Sequence, residues 1–165
     1  MYTSRSSRAL STAAAIALAL ITFTAGPASA GGSSGHSLLR AQLVGSMPAP
    51  ASPTIAGINP GGAPWVNGPS RVRVRENGRI MVRIQGLVIP PPVGTGVNPV
   101  ASVVATLVCH DTVTDSTEPF TLSMAGNGHT KDVITVPRHC ADPGVLIQPA
   151  ANRSVYIASS VARHH

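Results

Sequence analysis

Apolar and polar residues alternate along much of this chain with the two-residue period of a β-strand. The clearest stretch runs from Arg71 to Ile84, where Val and Ile occupy alternate positions and Arg fills most of the positions between them. Pro, Gly and Asn separate the alternating stretches, and after residue 30 no segment shows the apolar spacing of a helix. The pattern therefore predicts an all-β protein.

About eight short strands are expected from this pattern. Residues 100–110 form a nearly continuous apolar run, which is typical of a central strand covered on both faces. Residues 120–124 alternate into Gly126-Asn127-Gly128, which predicts a second hairpin with 133–136 as its return strand. The remaining strands are expected near residues 39–44, 71–75, 79–84, 145–147 and 155–161. This number and spacing predict an antiparallel β-sandwich of immunoglobulin-like size.

The alternation also determines the register of the first hairpin, whose loop is Glu76-Asn77-Gly78. A two-residue turn would place Val72 opposite Arg83 and bring an arginine onto the apolar face. A three-residue loop, with Gly78 in the left-handed conformation and a G1 bulge, pairs Val72 with Val82 instead. Since only the second register leaves one face uniformly apolar, we predict the three-residue loop.

Residues 46–69 contain six prolines and four glycines, which excludes a helix there. Ile55, Ile58 and Trp65 recur within the segment. Because large apolar side chains are usually buried, we predict a loop packed onto the domain rather than a free linker. Trp65 is expected to fill core space beneath that loop.

Residues 1–30 have the organisation of a secretory signal peptide. Arg5 and Arg8 form a basic start, residues 9–23 are mostly apolar, and Ala28-Ser29-Ala30 supplies the small residues of a cleavage site. The apolar run is shorter than the roughly 20 residues that a membrane-spanning helix needs. We therefore expect secretion by the general secretory route, cleavage after Ala30 and no stable transmembrane span afterwards.

Composition suggests three further boundaries in the mature chain. Residues 31–37 are rich in Gly and Ser and are predicted to form a flexible leader. Residues 38–162 are expected to form a single β-sandwich domain. Residues 163–165 are expected to be a disordered C-terminal tail.

The two cysteines of the chain, Cys109 and Cys140, both lie in the exported part. In an oxidising compartment an even pair predicts a disulfide. A metal site that also uses the neighbouring His110 and His139 is the alternative. Adjacent residues on a strand point to opposite faces, so Cys109 and His110 would not readily converge on one ion. We predict the disulfide and no metal site.

Charge and aromatic content narrow the possible functions. Arg5 and Arg8 leave with the signal peptide, so ten of the twelve Lys and Arg residues remain against six Asp and Glu, a net charge of +4. Three aromatic residues remain, Trp65, Phe120 and Tyr156. These are too few for a surface that binds nucleic acid or sugars by stacking on aromatic rings.

The first hairpin carries five arginines on its polar side. They are Arg71, Arg73, Arg75, Arg79 and Arg83. In the predicted register Arg75 lies opposite Arg79 and Arg71 opposite Arg83, and like charges directly across a ladder destabilise it.

Two interpretations account for these arginines. In the first, they extend into water or pair with carboxylates of a neighbouring strand. The candidate carboxylates are Asp111, Asp115, Glu118 and Asp132. In the second, they bind anions, because guanidinium groups pair bidentately with carboxylates, phosphates and sulfates.

No catalytic motif is found along the chain. The serine-hydrolase elbow G-x-S-x-G, the zinc motif H-E-x-x-H, the Walker loop and G-x-G-x-x-G are all absent. His110-Asp111 and His129 lie at expected strand ends and turns, where a histidine is usually solvated. We therefore predict no catalytic residues, no cofactor and no enzymatic activity.

Four segments are distinctive. They are Gly61-Gly62-Ala63-Pro64-Trp65-Val66, Arg71-Val72-Arg73-Val74-Arg75, Gly86-Leu87-Val88-Ile89-Pro90 and Tyr156-Ile157-Ala158. In these four segments the chain resembles small secreted proteins of actinobacteria that have no assigned activity. The similarity covers most of the mature chain, including both cysteine positions. The resemblance implies an exported, disulfide-closed β domain and carries over no catalytic or binding residue.

These observations predict a non-catalytic β-sandwich protein of the cell envelope or the surrounding medium, with a structural, adhesive or protein-binding role. The alternative is a binder of anionic polymers, such as cell-wall polyphosphate, acidic glycan or nucleic acid, through the arginine side of the hairpin. A hydrolase of unrecognised type is a further alternative. The expected partner is accordingly an envelope protein or an anionic polymer.

Overall fold

Every regular element of residues 35–160, which the computed structural model describes, is a β-strand. The strands are β1 (Ser37–Gln42), β2 (Val44–Gly45), β3 (Asn59–Pro60), β4 (Arg71–Arg75), β5 (Arg79–Ile84), β6 (Ser102–Cys109), β7 (Thr112–Ser116), β8 (Phe120–Thr121), β9 (Gly128–Val133), β10 (Gly144–Pro149), β11 (Val155–Tyr156) and β12 (Ala158–Ser159). The predicted signal peptide, the first part of the leader and the predicted C-terminal tail lie outside the described residues.

Two antiparallel sheets form the sandwich. The first sheet has the strand order β1-β4-β5-β9, and the second has β2-β12-β10-β6-β7 with β8 also paired to β6. A small additional pair, β11 with β3, is parallel. The prediction of an all-β antiparallel sandwich is confirmed. Twelve strands are observed instead of about eight, and five of them are only two residues long.

The core lies between the inner faces of the two sheets, because each sheet contributes alternate apolar side chains to it. The central core residues, each at most 2% exposed, are Val72, Val74, Ile80, Val82 and Ile84 from the first sheet and Val103, Ala105, Leu107, Val145 and Ile147 from the second. Trp65 packs into the same core from the segment 46–69, as predicted.

The first hairpin has the predicted register. Val72 pairs with Val82 and Val74 pairs with Ile80. Gly78 has a φ of 82°, and its N–H donates a hydrogen bond of 2.9 Å to the carbonyl of Arg75. The valines and isoleucines therefore face the core, and every arginine of the hairpin lies on the outer face.

The central strand β6 is covered on both faces, as predicted. Its inner face packs in the core, and on the other side Ile55, Ile58 and Tyr156 pack with Val108 and Leu146. Ile55 and Ile58 belong to the segment 46–69, so the prediction that this segment packs onto the domain is confirmed.

The predicted second hairpin is wrong. The strand β8 ends at Thr121 and pairs with β6, whereas the strand after Gly126 is β9, which pairs with β5 in the other sheet. The chain does turn here, since the N–H of Gly126 donates a hydrogen bond of 2.8 Å to the carbonyl of Ser123, but it crosses to the other sheet instead of forming a hairpin. The return strand is Gly128–Val133 rather than residues 133–136.

Three smaller differences concern strand boundaries. The strand β7 was not predicted. The expected C-terminal strand is divided into β11 and β12, and its last predicted residue, Val161, lies outside the described residues. The predicted leader includes Ser37, whereas β1 begins at Ser37, which pairs with Arg75.

The two sheets are connected at both lateral edges of the sandwich. On one side the chain passes through Leu43 from β1 in the first sheet to β2 in the second. On the other side, carboxylate–amide hydrogen bonds join β7 to the segment that follows β9, and β9 to the segment that follows β7. The Asp115 carboxylate accepts a bond of 2.7 Å from the N–H of Thr135, and the Asp132 carboxylate accepts one of 2.8 Å from the N–H of Glu118.

The carboxylate of Asp115 is expected to make the stability depend on pH. Hydrogen bonds from the backbone N–H groups of Thr135 and Ser116 hold the pKa of Asp115 below its usual value of 3.8. A carboxyl group with a lower pKa in the folded state stabilises the fold above the unfolded pKa, and this contribution is lost as the pH falls through the folded pKa.

We therefore expect Asp115→Asn to lower the free energy of unfolding by about 1 kcal/mol near neutral pH and by less in strong acid. Urea denaturation of both proteins near neutral pH and well below the usual Asp pKa measures the two differences. A loss of the same size at both pH values would contradict this role of the Asp115 carboxylate.

The predicted disulfide is present. Cys109, at the end of β6, is bonded to Cys140, which follows β9, so the bond links the second sheet to the segment leaving the first. This excludes the alternative in which the two cysteines bind a metal ion. Within residues 35–160 no helix is long and apolar enough to cross a membrane.

Candidate functional site

The outer face of the first sheet carries seven cationic side chains, which we call the cationic face. They are Arg40, Arg71, Arg73, Arg75, Arg79, Arg83 and Lys131. All five arginines predicted from the hairpin are among them. Each occupies an outward-facing position of its strand, whereas the valines and isoleucines at the alternate positions face the core.

The pairing register arranges these side chains in rows across the sheet. One row is Gln42, Arg71, Arg83 and His129, and the next is Arg40, Arg73, Met81 and Lys131. Arg75 and Arg79 flank the hairpin loop, and Val133 lies opposite Arg79. Arg71 is directly opposite Arg83, as predicted.

None of these seven cations has a carboxylate partner among the described residues. Within 4 Å, the one contact between a basic and an acidic side chain in residues 35–160 joins His36 Nδ1 to Glu76 Oε2, at 3.5 Å. The first interpretation of the arginines required either solvation or pairing with carboxylates of a neighbouring strand. The pairing is not found.

The four carboxylates proposed as partners lie elsewhere or bind backbone groups. Asp111 accepts a hydrogen bond from the N–H of Ala56, and Asp115 and Asp132 accept from the amides that join β7 to β9. Asp132 borders the cationic face near Val133, but its other oxygen accepts from the N–H of that residue. Glu118 is exposed and makes no ion pair among the described residues.

The backbone spacing of the first sheet brings the side chains of the cationic face close together. Residues two apart along a strand are separated by about 6.7 Å, and neighbours on adjacent strands by about 4.8 Å. Both distances are shorter than the Debye length of about 8 Å at physiological ionic strength. Two unit charges 6 Å apart in water repel by roughly 0.7 kcal/mol. The face therefore favours binding of an anion that neutralises several charges together.

Shallow depressions divide this surface, and they have one residue in common. The largest, about 630 Å³, lies between β1, β4 and β5, and another of about 470 Å³ lies between β4, β5 and β9 near the hairpin loop. A third, of about 560 Å³, lies between β5 and β9. Met81 lines all three. Cationic side chains of the face line each of the three depressions.

Arg40 and Lys131 were not identified as site residues from the sequence. Arg40 joins the face because β1 pairs with β4, and Lys131 joins it because β9 pairs with β5. The alternation of residues 39–44 did place Arg40 on a polar side. The partner of that strand, however, is more than thirty positions away along the chain.

The histidines considered for chemistry do not form a cluster. His110 and Asp111 form the turn between β6 and β7, and His129 lies at the edge of the cationic face, opposite Arg83. In the part of the chain that the structure describes, no group of three or more His, Cys, Asp or Glu side chains is placed to hold a metal ion.

Comparisons with protein-family models, curated proteins and solved structures find no match for this chain. The geometry of the cationic face is therefore the basis for a proposed function.

Proposed function

We propose that this protein is a non-catalytic binding module of the cell envelope or the surrounding medium, and that it binds anionic polymers through the cationic face. The observation that carries the proposal is a set of seven cations on one sheet face without a carboxylate partner among the described residues. Like charges that no carboxylate neutralises add up to a positive potential over the face, and such a potential attracts polyanions.

The proposed location follows from the signal-like residues 1–30, with cleavage after Ala30, and from the resemblance to secreted actinobacterial proteins. The Cys109–Cys140 disulfide supports it, since such bonds persist in oxidising compartments. Polyanions of cell walls and extracellular matrices are available there. A structural or adhesive role is compatible with this binding activity, because attachment to a wall polymer would itself anchor the domain.

Retention on an anionic matrix tests the proposed function. We expect Arg73→Gln/Arg75→Gln to elute from heparin and from purified cell-wall anions at lower salt than the wild type. Each lost contact reduces the number of counterions released on binding, so the slope of log affinity against log salt concentration should become shallower, by about 0.7–0.9 for each phosphate contact in the nucleic-acid case. The fold should be unaffected because both side chains point away from the core.

A matched control distinguishes the effect of the cationic face on elution from the effect of the net charge of the protein. Arg138 and Arg153 are exposed arginines outside the first sheet, so Arg138→Gln/Arg153→Gln removes the same charge from another part of the surface. We expect this variant to elute close to the wild type. Equal elution of the two double variants would show that the cationic face has no special role, and the proposal would then be wrong.

A further inference from the structure

An exposed methionine occupies the centre of the cationic face. Met81 lies between Arg73 on β4 and Lys131 on β9, and it is two residues from both Arg79 and Arg83 along β5. Met81 is 45% exposed, and all four of these neighbours are cations. The result is a small apolar centre with positive groups around it, at the point where the three depressions meet.

This arrangement discriminates between kinds of polyanion. An inorganic polyphosphate has charged oxygens along its whole length and gains nothing from an exposed thioether. A ligand with apolar C–H surface and anionic groups at its periphery gains from both, because it removes the methionine from water while its anions pair with the guanidinium groups. A methionine side chain is flexible and polarisable, so it adapts to such a surface without requiring a flat ring.

We propose, on the basis of the function proposed above, that the cationic face binds an acidic glycan and that Met81 contacts the C–H face of a sugar ring. Sulfate or carboxylate groups of that ring and its neighbours pair with Arg73, Arg79, Arg83 and Lys131. The exposed side chain of Gln42, in the adjacent row, supplies a hydrogen-bonding group for sugar hydroxyls at the rim.

The positions of the aromatic residues argue against single-stranded nucleic acid as the ligand of the cationic face. Bases are usually held by stacking on aromatic side chains. Trp65 and Tyr156 are 5% and 1% exposed, and Phe120 lines none of the three depressions. The cationic face therefore offers charge and the exposed aliphatic side chains of Met81 and Val133, but no aromatic ring in its three depressions on which a base would stack.

Salt titrations separate the contribution of charge neutralisation to the affinity from the contribution that does not depend on salt. The slope of log affinity against log salt concentration reports the charges neutralised, and extrapolation to 1 M salt reports what remains without counterion release. We expect Met81→Gln to lower the extrapolated affinity for heparin about three- to tenfold with the slope unchanged. The conservative Met81→Leu should retain the wild-type affinity, and neither variant should change binding to inorganic polyphosphate.

The outcomes distinguish this inference from the proposed function. If Met81→Gln binds heparin like the wild type while Arg73→Gln/Arg75→Gln reduces the slope, the sugar contact is wrong and polyanion binding remains. An equal loss on heparin and polyphosphate would also overturn the sugar contact, as would tighter, Met81-dependent binding of oligothymidylate. If no arginine substitution changes the slope, the proposed function itself fails. Thermal unfolding of each variant verifies that the fold is retained.

Discussion

Removal of the Cys109–Cys140 disulfide is expected to lower the free energy of unfolding by about 2–5 kcal/mol. The two cysteines are separated by 31 residues, and β7, β8 and β9 all lie between them. In the chain-entropy model, opening a loop of this length costs about 3.5–4 kcal/mol, because the unfolded chain gains conformational freedom. The bond also links β6 of the second sheet to the segment that follows β9 of the first.

Urea denaturation with and without reductant measures this effect. Cys109→Ala/Cys140→Ala provides the control, since its midpoint should be low in both conditions and insensitive to reductant. Reduction should also steepen the dependence on urea, because a less restricted unfolded state exposes more surface. An oxidised and a reduced wild-type protein with the same midpoint would contradict a stabilising role for the bond.

Gly78→Ala is expected to cost about 3 kcal/mol or more, because two independent effects add at this position. Gly78 has a φ of 82°, which is strained for any residue with a Cβ. A Cβ there would lie 2.1 Å from the carbonyl oxygen of Ile134, whose own N–H donates a hydrogen bond of 2.9 Å to the carbonyl of Gly78. The segment after β9 therefore approaches the hairpin loop too closely for a side chain.

Gly57→Ala is a matched control for the conformational part. Gly57 has a similar φ of 75°, but a Cβ there would meet nothing within 4 Å. We expect that variant to lose about 1–2 kcal/mol, and the difference between the two variants measures the collision with the Ile134 carbonyl. Chemical denaturation of both variants provides the comparison. Equal losses would show that the close approach is relieved without cost.

The elements that were predicted correctly are those whose position and register are determined by the local sequence. The first hairpin is one, since only one loop length keeps Val72 and Val82 on the same face. The strand β9 is the opposite case. Its inward positions are Gly128, Thr130 and Asp132, so hydrophobic periodicity gives no signal there. The strand β7 is also polar and largely solvent-accessible, and its position follows from pairing with β6.

The candidate site was predictable in part for the same reason. The hairpin register placed five arginines on one face, because strand alternation is a local property. Arg40 and Lys131 belong to the cationic face because their strands pair with strands that are distant in the sequence. The separation of arginines from carboxylates also depends on tertiary structure, since Asp115 and Asp132 are engaged by backbone amides where β7 meets β9.

Six of the seven cations on the cationic face are arginines, and a guanidinium group keeps its charge over the whole range of pH in which proteins function. Acidification of the surroundings would thus leave the attraction of these six groups intact. A carboxylated polymer would be released as its own groups become protonated, whereas a sulfated polymer would remain bound. If the cationic face binds a polymer as proposed, the acid groups of the polymer would determine the pH at which the complex dissociates.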